Sequence, residues 1–297
     1  MKKIRVILLT LVTSILVSCG TTSTVPITGR KHRLSVSDEY VLSLSSQQYA
    51  QYMKSAKAST NATNTAMVKR VGQKLATAVE TYLKGHGFAN EVNNFAWEFN
   101  LVQDNQVNAF CMPGGKIVVY EGILPVTRDE ASLAIVLGHE IAHAVAKHSA
   151  EQMTKASNSS TLVQIGGALA SAVGVSQTAT ELGTAALSQG LSLLNLKYSR
   201  DNESEADYMG LIFAAMAGYD PNVAVTFWQR MAAQGSSNVA TWMSSHPSDA
   251  QRIADIKRHL PEALTYYKPA VQTITTTKKA TTSTKKKTAT TKKTTKR

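Results

Sequence analysis

A five-residue pattern, His139-Glu140-Ile141-Ala142-His143, lies inside an apolar segment and restricts the fold more than any other feature of this chain. Two histidines four positions apart share one face of an α-helix, so both imidazole rings can reach one metal ion. Glu140 lies beside them, where a carboxylate can accept a proton from a water molecule next to the metal. The alternative is a solvated helix face with two incidental histidines. The apolar neighbours favour a metal site, because buried polar side chains without partners cost several kcal/mol.

A catalytic zinc ion has three protein ligands and one open coordination position, so a further ligand is expected from a separate helix. The segment that begins near Arg200 predicts such a helix, with Glu203 and Asp207 four residues apart. Glu203 can bind the metal, while Asp207 can hydrogen-bond a ligand imidazole one turn later. Glu205 points about 200° away from Glu203 on a helix and is a poorer candidate. The alternative is an acidic helix N-terminus that is stabilised by the helix dipole.

The hydrophobic periodicity predicts an α+β fold that is mostly helical, with a small antiparallel sheet flanking the helix of the pentad. Thr127 and Glu130 have the spacing of a capping box and predict the start of that helix, which continues to about Ala150. Residues 21–37 are predicted to be a polar leader. Further helices are predicted over 38–52, 65–83, within 159–194, over 200–218, after Pro221 and around Ile253, and strands over 95–102, 108–112 and 116–120.

The two ends of the chain differ in composition from its middle. Residues 1–18 combine a basic start with a short apolar run and predict a lipoprotein signal peptide, which ends in the lipobox pattern Leu16-Val17-Ser18-Cys19. Cys19 is then the acylated residue, whereas the alternative is an ordinary secretory signal with a chance cysteine. The predicted domains are a leader and helix over 19–60, the domain of the metal site over 61–267, and a disordered Lys/Thr-rich tail over 268–297.

The net charge of +12 suggests a nucleic-acid partner, but its distribution argues against one. Thirteen of the 32 basic residues lie in the two ends, and the other 19 nearly balance the 20 acidic residues. The tail lacks aromatic residues for stacking on bases, so no specific nucleic acid is expected. We expect the tail to contact anionic envelope polymers or lipid headgroups. With only Cys19 and Cys111 in the chain, no disulfide framework is expected.

Taken together, these motifs resemble the gluzincin metallopeptidases of the HtpX and CAAX-prenyl-protease type. Within them, the chain is most similar to the periplasmic lipoprotein branch of BepA-like and LoiP-like proteins. The resemblance covers about residues 24–262 and adds these motifs to the pentad: Thr28-Gly29-Arg30, Asn108-Ala109-Phe110, Pro113-Gly114-Gly115, Tyr198-Ser199-Arg200 before Glu203, and Ser245-His246-Pro247 with Arg252-Ile253. The chain departs from the BepA-like pattern after the core, where a Lys/Thr tail replaces the helical-repeat domain.

The resemblance implies a zincin-type fold and a zinc-dependent endopeptidase with one Zn²⁺ per chain. His139, His143 and Glu203 match the zinc ligands of the family. Glu140 matches the catalytic carboxylate, and Asp207 matches the residue that holds a ligand imidazole.

The resemblance also implies roles for residues outside the two metal-binding helices. Asn108, Ala109 and Phe110 match the edge strand that pairs with an extended substrate, since an unpaired strand edge binds peptide backbone with little sequence preference. His246 and Arg252 match positions near the metal, where the histidine can approach the zinc and restrain activity. The alternatives for these two residues are a turn at a helix start and a surface salt bridge.

The function implied by the resemblance is the degradation of unfolded or misassembled proteins of the bacterial cell envelope. The protein is then lipid-anchored through Cys19, at the outer membrane and facing the periplasm. The alternative is a non-proteolytic, zinc-stabilised, chaperone-like lipoprotein. Glu140 distinguishes the two functions, because a purely structural zinc site does not need this carboxylate.

Lipidation of Cys19 is directly testable. Cells that express the full chain are expected to incorporate a fatty-acid analogue into the wild-type protein and not into the Cys19→Ala variant, because the lipobox cysteine is the acceptor. Labelling is measured on the purified protein by in-gel fluorescence. Equal labelling of the two proteins would contradict the anchor.

Overall fold

The computed structural model describes residues 21–156, 193–233, 246 and 250–268. The predicted signal peptide, Cys19, nearly all of the predicted tail and the helices predicted within 159–194, apart from Leu193 and Leu194, lie outside these residues. The helices are α1 (Asp38–Ser55), α2 (Ala62–Gly85), α3 (Leu124–Thr127), α4 (Glu130–Val145), α5 (148–156), α6 (Arg200–Met216), α7 (Val223–Ala233) and α8 (Ala250–Tyr266). The strands are β1 (Thr21–Thr24), β2 (Lys31–Leu34), β3 (Glu98–Val102), β4 (Ala109–Met112) and β5 (Lys116–Tyr120). The predicted α+β, mostly helical fold is confirmed.

The sheet beside α4 has the strand order β3-β5-β4. Its central strand β5 carries three consecutive buried residues, Ile117, Val118 and Val119, because both of its faces are covered. Strands β4 and β5 form the predicted antiparallel hairpin through a turn in which Gly114 and Gly115 have positive φ angles of 86° and 80°. Strand β3 runs parallel to β5, so the sheet is mixed rather than wholly antiparallel.

The predicted polar leader is in part a β-hairpin, which corrects the sequence analysis. Strand β1 pairs antiparallel with β2, from Thr21 opposite Leu34 to Thr24 opposite Lys31. Leu34 packs with Val41 of α1 and Val118 of β5 in a cluster that covers one face of the sheet. The predicted domain boundary after residue 60 stays a prediction.

The start of α4 differs from the predicted capping box. The N-cap is Asp129, whose side chain accepts a hydrogen bond of 2.7 Å from the backbone N–H of Ser132. Thr127, the last residue of α3, instead donates its hydroxyl to the carbonyl of Leu124, the first residue of that helix. Arg128 has a φ of 68°, which breaks the helical path between α3 and α4.

The end of α4 also differs from the prediction. The helix ends at Val145 rather than near Ala150, and Lys147 has a φ of 56°. The chain turns at this residue, and α5 begins at residue 148. The Nζ atom of Lys147 lies 2.7 Å from Asp38 Oδ2 and 2.9 Å from Glu91 Oε2, and these ion pairs hold the turn in place.

Helix α4 is buried along nearly all of its length and crosses α6 at a contact between two glycines. A Cβ atom on Gly138 would lie 2.6 Å from the carbonyl oxygen of Gly210. A Cβ atom on Gly210 would lie 2.6 Å from the backbone nitrogen of His139. The two backbones therefore touch, and this contact brings the pentad of α4 against the acidic face of α6. In the described ranges, none of the helices combines the length and the apolar composition that a membrane crossing requires.

The glycine contact predicts the effect of a single methyl group. Gly210→Ala is expected to lower the free energy of unfolding by at least about 1–3 kcal/mol. The added methyl group would meet the backbone of α4, which cannot move aside as a flexible side chain can. Gly85→Ala is the control, since nothing lies within 4 Å of the added carbon at the end of α2. It is expected to leave stability unchanged or slightly raised. Urea unfolding measures both, and equal midpoints for the two variants would contradict the contact.

Candidate metal centre

Four buried side chains converge between α4, α6 and the segment before α8. One nitrogen or oxygen atom from each of His139, His143, Glu203 and His246 lies within 4.8 Å of the corresponding atoms of the other three. The first two come from α4 and Glu203 from the first turn of α6. The structure thus brings together the ligand residues that the sequence analysis proposed, together with His246.

The spacing of these atoms fits one small cation. His139 Nε2 lies 3.1 Å from His143 Nε2, and the Glu203 oxygens lie 3.5 Å and 3.4 Å from these two nitrogens. Four ligands at zinc distances of about 2.0–2.1 Å in a tetrahedron are about 3.3–3.4 Å apart. Imidazole nitrogen and carboxylate oxygen are also the donor atoms that zinc prefers. The geometry and the chemistry of this set therefore fit a zinc ion.

The carboxylates of the centre are held in their charged form. Burial opposes ionisation of Glu203, but His246, His139 and His143 outweigh it and hold the pKa of Glu203 well below its usual range. Burial likewise opposes ionisation of Asp207, and the guanidinium of Arg252 lowers the pKa of Asp207. Both groups can therefore accept hydrogen bonds or bind a cation without first losing a proton.

Asp207 and Arg252 hold His139 at Nδ1, the ring nitrogen that does not face the cluster. Asp207 Oδ1 lies 2.9 Å from His139 Nδ1, which leaves Nε2 of this ring facing the cluster. Arg252 donates to both oxygens of Asp207, at 2.5 Å and 2.8 Å, and its guanidinium lies 3.7 Å from the ring centre of Trp228. Arg252 Nη1 also lies 3.3 Å from Glu203 Oε2. Since Arg252 is buried, the alternative of a surface salt bridge is wrong.

Glu140 and His246 lie next to each other at the centre. Glu140 is 3% exposed, and its Oε1 atom lies 3.7 Å from His246 Nε2. The other ring nitrogen of His246, Nδ1, lies 3.0 Å from Glu203 Oε1 and 3.2 Å from His139 Nε2. Nδ1 of His246 thus contacts the same cluster of atoms as the proposed ligands, and Glu140 lies next to His246.

The partners of His143 were missed by the sequence analysis. His148 Nδ1 lies 2.8 Å from His143 Nδ1, and His148 Nε2 lies 2.9 Å from Glu205 Oε2. Burial lowers the pKa of His148, which favours its neutral form. The ring of Tyr198 stacks on His143 with the ring centres 4.1 Å apart. His148 was overlooked because α4 was predicted to continue straight through it, and Glu205 was considered only as a metal ligand.

The segment proposed to bind substrate lies at the edge of the sheet. Strand β4 contains Ala109 and Phe110, follows Asn108 directly and packs against α4. Among the described residues no further strand pairs with its outer side. The ring of Phe110 lies against Tyr52 of α1, with the ring centres 5.3 Å apart. The Phe110 ring therefore packs on α1, and the role of β4 in binding substrate stays a prediction.

Comparisons with known proteins agree with this geometry. The family model described as Peptidase family M48 matches residues 62–260. The chain is 42% identical over 174 residues to the Mitochondrial metalloendopeptidase OMA1 of Schizosaccharomyces pombe, covering 58% of this chain and 49% of the relative. It is 31% identical over 249 residues to the Metalloendopeptidase OMA1, mitochondrial, of Homo sapiens, covering 80% of this chain and 46% of the relative.

A bacterial relative is the Beta-barrel assembly-enhancing protease of Yersinia pestis, 29% identical over 174 residues, covering 57% of this chain and 35% of the relative. The chain thus spans about half or less of the length of these curated relatives. Relatives of both mitochondrial and bacterial origin match, so the similarity supports the family and not the particular branch named in the sequence analysis.

The proposed ligands can be separated from Glu140 by metal content. His143→Ala and Glu203→Ala are expected to lower bound zinc well below one ion per chain, because each removes an atom from the cluster. Glu140→Gln is expected to retain the metal, since it keeps the side-chain shape and lies beside the ligands. Metal content is measured by atomic spectroscopy on folded protein, with circular dichroism as the folding control. Full zinc content in Glu203→Ala would contradict its place in the ligand set.

Proposed function

The chain belongs to peptidase family M48, and on that basis we propose that it is a zinc-dependent endopeptidase. The observation that carries this proposal is the buried convergence of His139, His143 and Glu203, with the buried Glu140 next to His139 in the chain and 3.7 Å from His246. A carboxylate at that place has no purpose in a purely structural zinc site, so it favours an enzyme over a non-proteolytic, chaperone-like lipoprotein.

Different residues of the chain would carry out different steps of peptide hydrolysis. When bound, zinc would polarise the scissile carbonyl and increase the acidity of the attacking water. Glu140 would accept the proton of that water and pass it to the leaving amine. Asp207 would keep the Nε2 atom of His139 directed at the metal through its hydrogen bond to Nδ1. The outer edge of β4, on which no further strand of the described residues pairs, would hold the substrate as an added strand, with backbone hydrogen bonds supplying most of the affinity.

We infer that the substrates are unfolded or misassembled proteins of the bacterial cell envelope. Binding through a strand edge demands extended backbone, which an unfolded chain offers and a folded one does not. The name of the Yersinia pestis relative, which refers to β-barrel assembly, supports an envelope role. The lipobox before Cys19 supports a lipid anchor, placed at the outer membrane and facing the periplasm. The Lys/Thr tail would contact anionic envelope polymers or lipid headgroups.

Replacing Glu140 tests the enzyme directly. Glu140→Gln is expected to lower casein hydrolysis by about 10²–10⁴-fold with zinc still bound, because the amide cannot accept the proton. Removal of zinc with a chelator is expected to abolish hydrolysis, and added zinc is expected to restore it. In cells, the same variant is expected to retain uncleaved envelope proteins that co-purify with it. Undiminished hydrolysis by zinc-loaded Glu140→Gln would overturn the proposal.

His246 is expected to restrain the enzyme. Its Nδ1 atom is as close to His139 and Glu203 as these ligands are to each other, so it competes for the position that a substrate carbonyl needs. His246→Ala is therefore expected to raise casein hydrolysis and to leave zinc near one ion per chain. If His246 instead stabilises the oxyanion of the transition state, the rate falls by about 10²–10³-fold. Activity and zinc content measured on the same preparation distinguish the two roles.

A further inference from the structure

The two ligand histidines of α4 are supported in different ways. His139 has a carboxylate, Asp207, as its direct partner, whereas His143 has a second histidine. We propose that Arg30, Glu205 and His148 form a positioning relay that holds His143 in the orientation and tautomer required for metal binding. The inference deepens the proposed zinc site and rests on it.

Metal binding by His143 would fix the arrangement of protons along the relay. When Nε2 of His143, which faces the cluster, binds the metal, Nδ1 carries the hydrogen and donates it to His148 Nδ1, 2.8 Å away. His148 then carries its own hydrogen on Nε2 and donates it to Glu205 Oε2 at 2.9 Å. Each link has one donor and one acceptor, and the charge of Glu205 therefore fixes both tautomers.

The break after α4 is what makes this relay possible. On a continuous helix, residue 148 would lie about 140° around the axis from His143 and could not reach its ring. The positive φ of Lys147 turns the chain so that His148 faces back towards His143. Lys147 is held in this unusual conformation by its ion pairs with Asp38 and Glu91.

The far end of the relay is the turn of the N-terminal hairpin. Arg30 donates its Nε hydrogen to Glu205, with oxygens at 2.9 Å and 3.0 Å, and its Nη2 also pairs with Glu151 of α5. Thr28 donates its hydroxyl to Glu205 Oε1 at 2.6 Å. Both carboxylates are largely buried and are bridged by the single guanidinium. Without Arg30 they would repel each other, and Glu205 would lose its alignment with His148.

The backbone of the turn indicates that its shape is constrained. Ile27 and Gly29 both have φ angles of 68°, and for a β-branched residue such as Ile27 this conformation is unfavourable. Strained residues persist where the surrounding contacts determine them and are concentrated at functional sites. Here the strained turn places Thr28 and Arg30 against Glu205. A simple connection between two strands would not require this geometry.

The experiment measures the zinc dissociation constant of the full chain by competition with a chromophoric chelator. His148→Phe keeps the ring volume but removes both nitrogens, and it is expected to raise the dissociation constant by about 10–100-fold. Arg30→Met is expected to raise it by a smaller factor, and Arg30→Lys by less than Arg30→Met. Arg70→Met is the control, because Arg70 bridges α2 to Glu130 at the exposed start of α4 and has no link to the relay. It is expected to leave zinc affinity unchanged.

A double-mutant cycle separates a relay from a general loss of stability. If Arg30 acts through His148, the double variant binds zinc as the His148→Phe variant does, whereas independent effects multiply. The absorption bands of the cobalt-substituted protein report the ligand geometry and are expected to change in His148→Phe and not in Arg70→Met. Should His148→Phe not fold, the cycle of Arg30→Met with Glu205→Gln replaces it.

The outcomes distinguish this inference from the proposed function. A wild-type chain that binds no zinc would overturn the zinc site and the relay together. Tight zinc binding by the wild type, with unchanged affinity in the folded His148→Phe or Glu205→Gln variant, would overturn the relay alone. Multiplying effects in the double variant would do the same.

Discussion

The contact between the backbones of α4 and α6 determines the position of the whole centre. Gly138 and Gly210 meet where a methyl group on either residue would lie 2.6 Å from the opposing backbone. Because neither helix has a side chain at this point, their axes approach closely and the imidazoles of one face the carboxylate of the other. A wider separation would leave the ligands unable to share one ion, since zinc–ligand bonds are only about 2.0–2.1 Å long.

Burial of so many polar groups is unfavourable unless each has a partner. The structure supplies partners from both ends of the described chain. On one side, Arg252 of α8 aligns Asp207 and lies over Trp228. On the other side, Arg30 of the N-terminal hairpin aligns Glu205, which in turn contacts His148. Segments far apart in sequence thus close around α4, and the orientation of its histidines depends on both.

The match to family M48 begins at residue 62, yet residues before this position also contact the side chains that support the centre. The hairpin lies before this residue and reaches Glu205, and α1 reaches Lys147 through Asp38. The unit that supports the metal site is therefore larger than the matched range. The hairpin and α1 pack on the same sheet as the residues within the matched range, while the predicted domain boundary after residue 60 stays a prediction.

The pentad, the carboxylates of Glu203 and Asp207 and most helices could be predicted from sequence, because helical periodicity and four-residue spacing are local properties. His246 entered only through the family resemblance, since nothing local indicates which element it faces. The sequence also predicted three strands but not the parallel pairing of β3, which depends on contacts distant in the chain. Tertiary structure alone decided the role of His148. Its segment has the composition of a continuing helix, whereas ion pairs with Asp38 of α1 and with Glu91 after α2 help to hold Lys147 in the conformation that turns His148 towards the metal centre.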